Sequence, residues 1–305
     1  MPSRNFCFTN YFGKNIRPAR QSFSDGGDPL KHMLKKFLIG FVMMIVLVGI
    51  FSLSLVLQYR DRVRQERQNA KAPQQSITLL EGWNNNEIGD YLEKNNVAKR
   101  TDFLSTEKSF STSGYSFLVD KPAAADLQGY IFPDTYFIPK NPNADINTII
   151  VKKALDNFEA KFTPAMANQA AANKLSIYQI ITLASIVEKE SGKSQNDKNI
   201  IAGIFYNRLS TGVALQSDAT VNYITGKSTP GISTQDQQID SPYNTYKYKG
   251  LPPGPIANPG LDSIMAALYP TKTDYFYFLT DPKTGLAVFA KTYDEHLSNK
   301  AKYLR

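Results

Sequence analysis

The sequence predicts an α+β protein: a single transmembrane helix, then a small module of one strand and two short helices, then a larger mixed α/β domain. Three observations predict it. Phe37 to Leu57 runs 21 residues without a charge, which at ~1.5 Å per residue matches the roughly 30 Å of a bilayer core. After residue 76 the apolar residues alternate over short stretches, as in strands, or recur at i, i+3 and i+4, as in helices. The chain has 305 residues, 42% of them hydrophobic, enough to bury one large or two modest cores.

The net charge of +8 is local: residues 1 to 75 hold 12 of the 35 Lys/Arg and 4 of the 27 Asp/Glu, leaving 23 of each beyond. The excess therefore flanks the apolar run, where it meets anionic lipid headgroups, and nucleic acid is not expected as a partner. Cys7 is the single cysteine, and His32 and His296 are the two histidines. Neither a disulfide framework nor a Cys/His metal site can be built from them. No G-x-S-x-G elbow or H-E-x-x-H motif is present, and Gly226-Lys-Ser lacks a P-loop's first glycine because that position is Val221. No cofactor is expected.

Residues 1–36 read as a loose tail, 37–57 as the membrane span and 58–76 as a linker or fraying helix extension. Lys/Arg near the two ends of the span number five on each side, so the charge rule leaves orientation undecided. Ile77-Thr-Leu-Leu80 is strand-like. Asn86 to Glu93 places Ile88, Tyr91 and Leu92 on one helical face, and Thr101 is placed to cap a second helix. These make a module over 77–125, followed by a domain over 126–305. Within that domain, helices are expected at 146–161, 176–190, 200–209, 262–269 and 293–303, with a hairpin of Tyr275–Leu279 and Ala287–Ala290.

The helix that ends in Glu188-Lys-Glu190 carries the candidate chemistry. Ser176 and Gln179 form a capping box at its start. At 100° per residue from Ile177, the apolar stripe centres near ~300°, with Glu188 at about 20° and Glu190 at about 220°. Each carboxylate flanks the stripe, so periodicity does not choose between them. Position favours Glu190: in the last turn, before Ser191-Gly192, helix carbonyls oppose a negative charge and raise its pKa, as a general acid requires. Glu188 is the fallback. Leu215 to Tyr223, Ser241 to Tyr246 and the proline-rich Gly250 to Gly260 supply Gln, Asn and Tyr in loops suited to covering the faces and hydroxyls of sugars. His296 has no partner set and reads as structural.

Taken together and in order, Leu127-Gln-Gly-Tyr-Ile-Phe-Pro-Asp-Thr-Tyr136, Ala184-Ser-Ile-Val-Glu-Lys-Glu190, Asn207-Arg-Leu, Leu215-Gln-Ser-Asp-Ala-Thr-Val221, Tyr243-Asn-Thr-Tyr246, Gly250 to Gly260 and Tyr275-Phe-Tyr-Phe resemble the bacterial endolytic murein transglycosylases of the YceG-like (MltG) family. The resemblance covers about residues 77–305. It implies a single-pass inner-membrane protein with a cytoplasmic N-terminus and a catalytic domain facing the cell wall. It further implies cleavage of MurNAc-β-1,4-GlcNAc bonds in nascent peptidoglycan to 1,6-anhydroMurNAc ends, terminating glycan elongation, with glycan strands, the bilayer and peptidoglycan synthases as partners. Glu190 matches the family's catalytic glutamate, and Glu190-Ser191 resembles the Glu-Ser pair of other lytic transglycosylases. Gln216, Asn244, Tyr246 and Asn207 are the expected substrate contacts. Family members carry a longer LysM-like subdomain near the membrane, so residues 77–125 are expected to be a shortened one. Two other readings stand beside this one, a hydrolysing muramidase and a non-catalytic membrane-anchored scaffold that binds glycan or division partners.

Overall fold

A computed structural model describes residues 29–141, 143–192, 194–227 and 231–304. Most of the expected tail, 1–28, lies outside the described residues. The described residues fall into two compact units, one ending at Glu66 and the other beginning at Arg67. The first holds most of helix α1, Pro29–Lys71, whose apolar side chains are exposed along its length. From His32 to Lys71 this helix is long and apolar enough to cross a membrane. The expected linker is therefore helical as far as Lys71. Arg, Gln and Asn between 58 and 71 break the apolar run without breaking the helix, since straight-chain residues are good helix formers.

The second unit begins with strand β1, Gln74–Thr78, three residues earlier than the sequence pattern suggests. Ile77 and Leu79 point inward and Ser76, Thr78 and Leu80 outward, the alternation of a half-buried strand. Its antiparallel partner is β2, Thr135–Pro139, with Gln74 opposite Pro139 and Thr78 opposite Thr135. Residues 77–125 thus pair with the segment beyond them and share its core. Between the strands lie α2, Asn85–Lys94, and α3, Arg100–Ser109. Asn84 and Glu87 close a capping box on α2. Thr101 does not cap α3: the cap position is Lys99, and the Thr101 hydroxyl donates to Asp102 instead.

Next come α4, Ile146–Lys161, and α5, Pro164–Ala172, the latter started by Thr163 and a proline at its first turn. Helix α6, Ile177–Glu190, is the centre of the unit, and Ser176 and Gln179 form its capping box. Every residue from Ile180 to Val187 is buried, because α5, α7, α8 and α9 pack around it. Helices α7, Gln195–Thr211, α8, Asp218–Thr225, and α9, Leu261–Leu268, are followed by a hairpin and a last helix. The hairpin is β3, Tyr277–Thr280, against β4, Ala287–Ala290, and the helix is α10, Tyr293–Tyr303.

The proline-rich loop is interior rather than a sugar platform. Residues 254–260 are buried. The Ile256 N–H donates to the Ser185 hydroxyl at 3.0 Å. Asn258 uses its whole amide: Oδ1 accepts from Gly129 N at 2.8 Å and Ile131 N at 3.0 Å, and Nδ2 donates to Trp83 O and Asn85 Oδ1, each at 3.0 Å. Gly129 has φ 92°, and a Cβ there would lie 2.6 Å from Pro255 and 2.7 Å from Ile181. Backbone segments around 83, 130 and 258 are thereby joined beneath the start of α2. Asn258→Ala strands the Gly129 and Ile131 N–H groups and the Asn85 side-chain oxygen, at about 1–3 kcal/mol each, while the Trp83 carbonyl keeps the backbone N–H of residue 258. Denaturant unfolding is expected to show a loss of at least about 3 kcal/mol, whereas a loss below about 1 kcal/mol would mean that these segments are held by other contacts.

Glu107 is buried on α3 and accepts from Leu127 N at 2.8 Å. Burial first, and then Asp126, push its carboxyl up to about 7 from 4.5. The folded state holds this proton more tightly than the unfolded state, so the group's effect on stability is complete below about pH 4.5 and erodes as pH rises to about 7. Between those values the difference in unfolding free energy between the wild type and Glu107→Gln should change by up to about 3 kcal/mol in favour of the variant. A difference that is flat across the window would contradict the assignment.

Candidate active site

Glu190 is the last residue of α6, and Ser191 leaves the helix in an extended conformation while its hydroxyl and N–H both return to the Val187 carbonyl. The helix end is thus closed without the Glu190 side chain. That side chain crosses to the start of α8. Ser217 Oγ donates to Glu190 Oε1 at 2.5 Å, and the Ala219 N–H approaches the same oxygen at 3.4 Å. Ser217 occupies the cap position of α8, yet its hydroxyl accepts no hydrogen bond from that helix and instead donates to Glu190.

A set of hydroxyls fixes Ser217. Its N–H donates to Thr245 Oγ1 at 3.0 Å, the Thr245 and Thr220 hydroxyls meet at 2.9 Å, and Thr220 Oγ1 donates to the Ser217 carbonyl at 2.8 Å. Since Thr220 gives its proton to Ser217, Thr245 must be the donor in the middle contact. Gln216, just before, has φ 50°, a left-handed conformation unusual for a residue with a side chain. The Gln216 N–H holds this bend by donating to Thr245 O at 3.1 Å.

Burial raises the pKa of Glu190 and is the largest influence on it; the Ser217 and Ala219 donors oppose it, Asp218 adds to it, and Arg208 opposes it. The direction is the one expected from the sequence, but loss of water is the leading cause, not the end of α6. The carboxyl is nevertheless not sealed. It lies on the wall of a cleft of about 1240 Å³, with α2 on one side and Arg208, the 215–223 segment, Tyr246, β3 and α10 around the rest. That volume exceeds the 300–1,000 Å³ usual for small-molecule pockets and suits an extended ligand. Among the described residues no group of three or more His, Cys, Asp or Glu could hold a metal ion.

Of the expected site residues, the cleft brings together Glu190, Gln216 and Tyr246. The Tyr246 hydroxyl donates to Asp218 Oδ1 at 2.5 Å. Glu188 lies elsewhere: Oε2 accepts from Gly260 N at 3.0 Å and Ser263 Oγ at 2.7 Å and sits 3.5 Å from Lys198, tying α6 to α9. Two expected substrate contacts must be corrected. Asn244 is fully buried, with Nδ2 donating to the Gln237 and Ile239 carbonyls and Oδ1 accepting from Tyr246 N. Asn207 donates to the Thr273 and Tyr275 carbonyls, which fastens α7 to the strand side. The Asn244 amide and the Asn207 Nδ2 are committed to main chain, and neither residue lines the cleft.

Sequence reasoning missed Ser217, Asp218 and Arg208, and it placed His296 outside the site, although all but Ser217 line the cleft. The polar run Gln216-Ser-Asp218 just before a helical face was the available signal for the first two. Arg208 and His296 gave none, since their meeting depends on the distant hairpin.

A family model described as the YceG-like family matches residues 41–302. The endolytic murein transglycosylase of Bacillus subtilis (strain 168) is 40% identical over 218 residues, spanning 70% of this chain and 59% of that protein. That of Streptococcus pneumoniae serotype 2 (strain D39 / NCTC 7466) is 36% identical over 190 residues, 61% of this chain and 34% of that protein. The chain thus spans less than two thirds of either relative. A crystal structure of a yceG-like protein from Listeria monocytogenes superposes with a TM-score of 0.66 at 34% identity, covering 79% of this chain and 81% of that one. With a family match across most of its length, and a solved relative of the same fold, the chain belongs to the YceG-like family.

Proposed function

We propose that this protein is a membrane-anchored endolytic murein transglycosylase, with Glu190 as its single catalytic acid and base. The observation that carries the reading is the Glu190 carboxyl: held by Ser217, pushed toward its protonated form by burial, and open to a cleft large enough for a glycan strand. The names of the relatives supply the substrate class. The anchor is α1, with the N-terminus in the cytoplasm and residues 77–305 on the cell-wall side of the inner membrane. Residues 77–125 stand where the family's LysM-like subdomain would be.

The reaction needs one carboxyl group. Protonated Glu190 gives its proton to the oxygen between MurNAc C1 and GlcNAc C4, the C1–O bond breaks, and the GlcNAc end leaves as an alcohol. Positive charge develops at C1, and the muramyl C6 hydroxyl adds there. Ionised Glu190 takes the C6 hydroxyl proton, closing the 1,6-anhydro ring and restoring the acid. Between the two transfers the carboxylate is stabilised by the Ser217 hydroxyl and the Ala219 N–H. No water enters the product, so no second carboxylate is needed to activate one, in contrast to the two-carboxylate glycosidases. Gln216 and Tyr246 lie on the cleft wall where the strand would pass.

Glu190→Gln is isosteric and should keep the fold while reducing anhydromuramyl ends at least about a hundredfold on purified strands. Product yield near the wild-type level would remove Glu190 from the mechanism, and strand binding without cleavage by the wild type would favour the scaffold reading. The first step requires the protonated acid, so turnover should fall as pH rises through the raised pKa of Glu190. Removing the Ser217 donor takes away an interaction that favours the ionised form. In Ser217→Ala the alkaline limb of the kcat profile should therefore move to higher pH, with kcat about tenfold lower or more. A limb that stays in place, or moves to lower pH, would show that another group controls it.

A further inference from the structure

One end of the cleft holds two cationic side chains, Arg208 and Lys300, beside His296, whose pKa is lowered by burial and then by those two cations, and no carboxylate among the described residues forms an ion pair with them. Arg208 is 6% exposed. Its Nε donates to Phe276 O at 2.7 Å, and its Nη1 donates to Leu215 O at 2.7 Å and Ala214 O at 3.4 Å. Nη2 has no hydrogen-bond partner among the described residues, and the side chain lines the cleft. The guanidinium lies 5.3 Å from the centre of the Tyr277 ring, and His296 stacks on that ring at 5.4 Å. His296 is 9% exposed, its Nδ1 is buried without a hydrogen bond, and it too lines the cleft. Lys300 lies one turn further along α10 on the same wall.

No carboxylate comes within ion-pair distance of Arg208 or Lys300 among the described residues. The cleft acids are otherwise engaged: Asp218 by Tyr246, Glu190 by Ser217, and Asp90 on α2 by Arg100 at 2.9 Å. Glu87 is held by the capping box of α2. When Glu190 carries its proton, Arg208 is a nearly buried cation facing a cavity, which is unfavourable unless something negative completes it. Carbonyls hold the guanidinium on two of its nitrogens and leave the third free, a geometry that presents N–H groups to a planar anion.

We infer that Arg208, His296 and Lys300 form a subsite for a carboxylate carried by the muramyl unit of the strand. The inference rests on the proposed glycan substrate. On a strand stripped of peptides the carboxylate is that of the lactyl ether. On a peptide-bearing strand that group is an amide, and the carboxylate belongs to the peptide.

Binding to the full-length protein in detergent micelles tests this without relying on turnover. Four strands serve as probes: stripped, peptide-bearing, and each of these with its carboxylates converted to methyl esters. The wild type should bind at least one carboxylate form about tenfold more tightly than its ester. Arg208→Lys and Lys300→Gln should lose that preference while binding the esters as the wild type does. Preference confined to stripped strands assigns the lactyl group, and preference confined to peptide-bearing strands assigns the peptide. Equal wild-type affinity for acid and ester, or equal loss on both forms in Lys300→Gln, would overturn the subsite. Lys300 is exposed, so that variant reads the charge even if Arg208→Lys disturbs folding. A wild type that prefers carboxylates but never cuts keeps the subsite and loses the proposed reaction; one that cuts acid and ester strands and binds both alike keeps the reaction and loses the subsite.

Discussion

The carboxyl of Glu190 can be buried and still usable because two helix ends meet around it. Helix α6 is enclosed on all sides as far as Val187, which fixes its axis and its last turn firmly. Ser191 closes that last turn on the Val187 carbonyl, leaving the Glu190 side chain for α8. There Ser217 departs from its ordinary role as a helix cap and donates to the carboxyl instead. Burial favours the neutral acid, and the two donors favour the ion. A group that must give up a proton and then take one back requires both influences, with burial the larger at rest.

The rest of the unit serves to hold that meeting point. Asn258 and the interior proline-rich loop join the start of α2 to the segment near Gly129, setting one wall of the cleft relative to α6. Asn207 and Arg208 fasten the hairpin side by donating to carbonyls at 273, 275 and 276. The Thr245 and Thr220 hydroxyls lock the bend at Gln216 that carries Ser217 into place. Glu188, two residues from Glu190 and of the same chemistry, is held by α9 and faces no ligand. Equal position beside an apolar stripe thus led to opposite fates, decided by what packed on each flank.

Much of the local structure was legible in the sequence, because local structure is set by neighbouring residues. The Ser176 and Gln179 capping box, the extents of α4 and α10, and the β3–β4 hairpin depend on contacts within a few positions. The long-range commitments were not legible. An Asn in a turn-rich stretch reads as a sugar contact, and only the folded chain shows Asn244 enclosed by the carbonyls of 237 and 239. Gly250 to Gly260 looks like surface loop by its prolines, yet its backbone is satisfied by Ser185 and Trp83 inside the unit. Arg208 and His296 come together only through Tyr277, a residue on a strand that neither helix anticipates.

In the proposed reaction one carboxyl works twice and water is not a reactant. Digestion of purified strands by the wild-type protein in water enriched in oxygen-18, followed by mass spectrometry of the new muramyl ends, tests it directly. The new ends should be one water lighter than a reducing sugar and free of the heavy isotope. New reducing ends carrying oxygen-18 would contradict it and identify a hydrolysing muramidase.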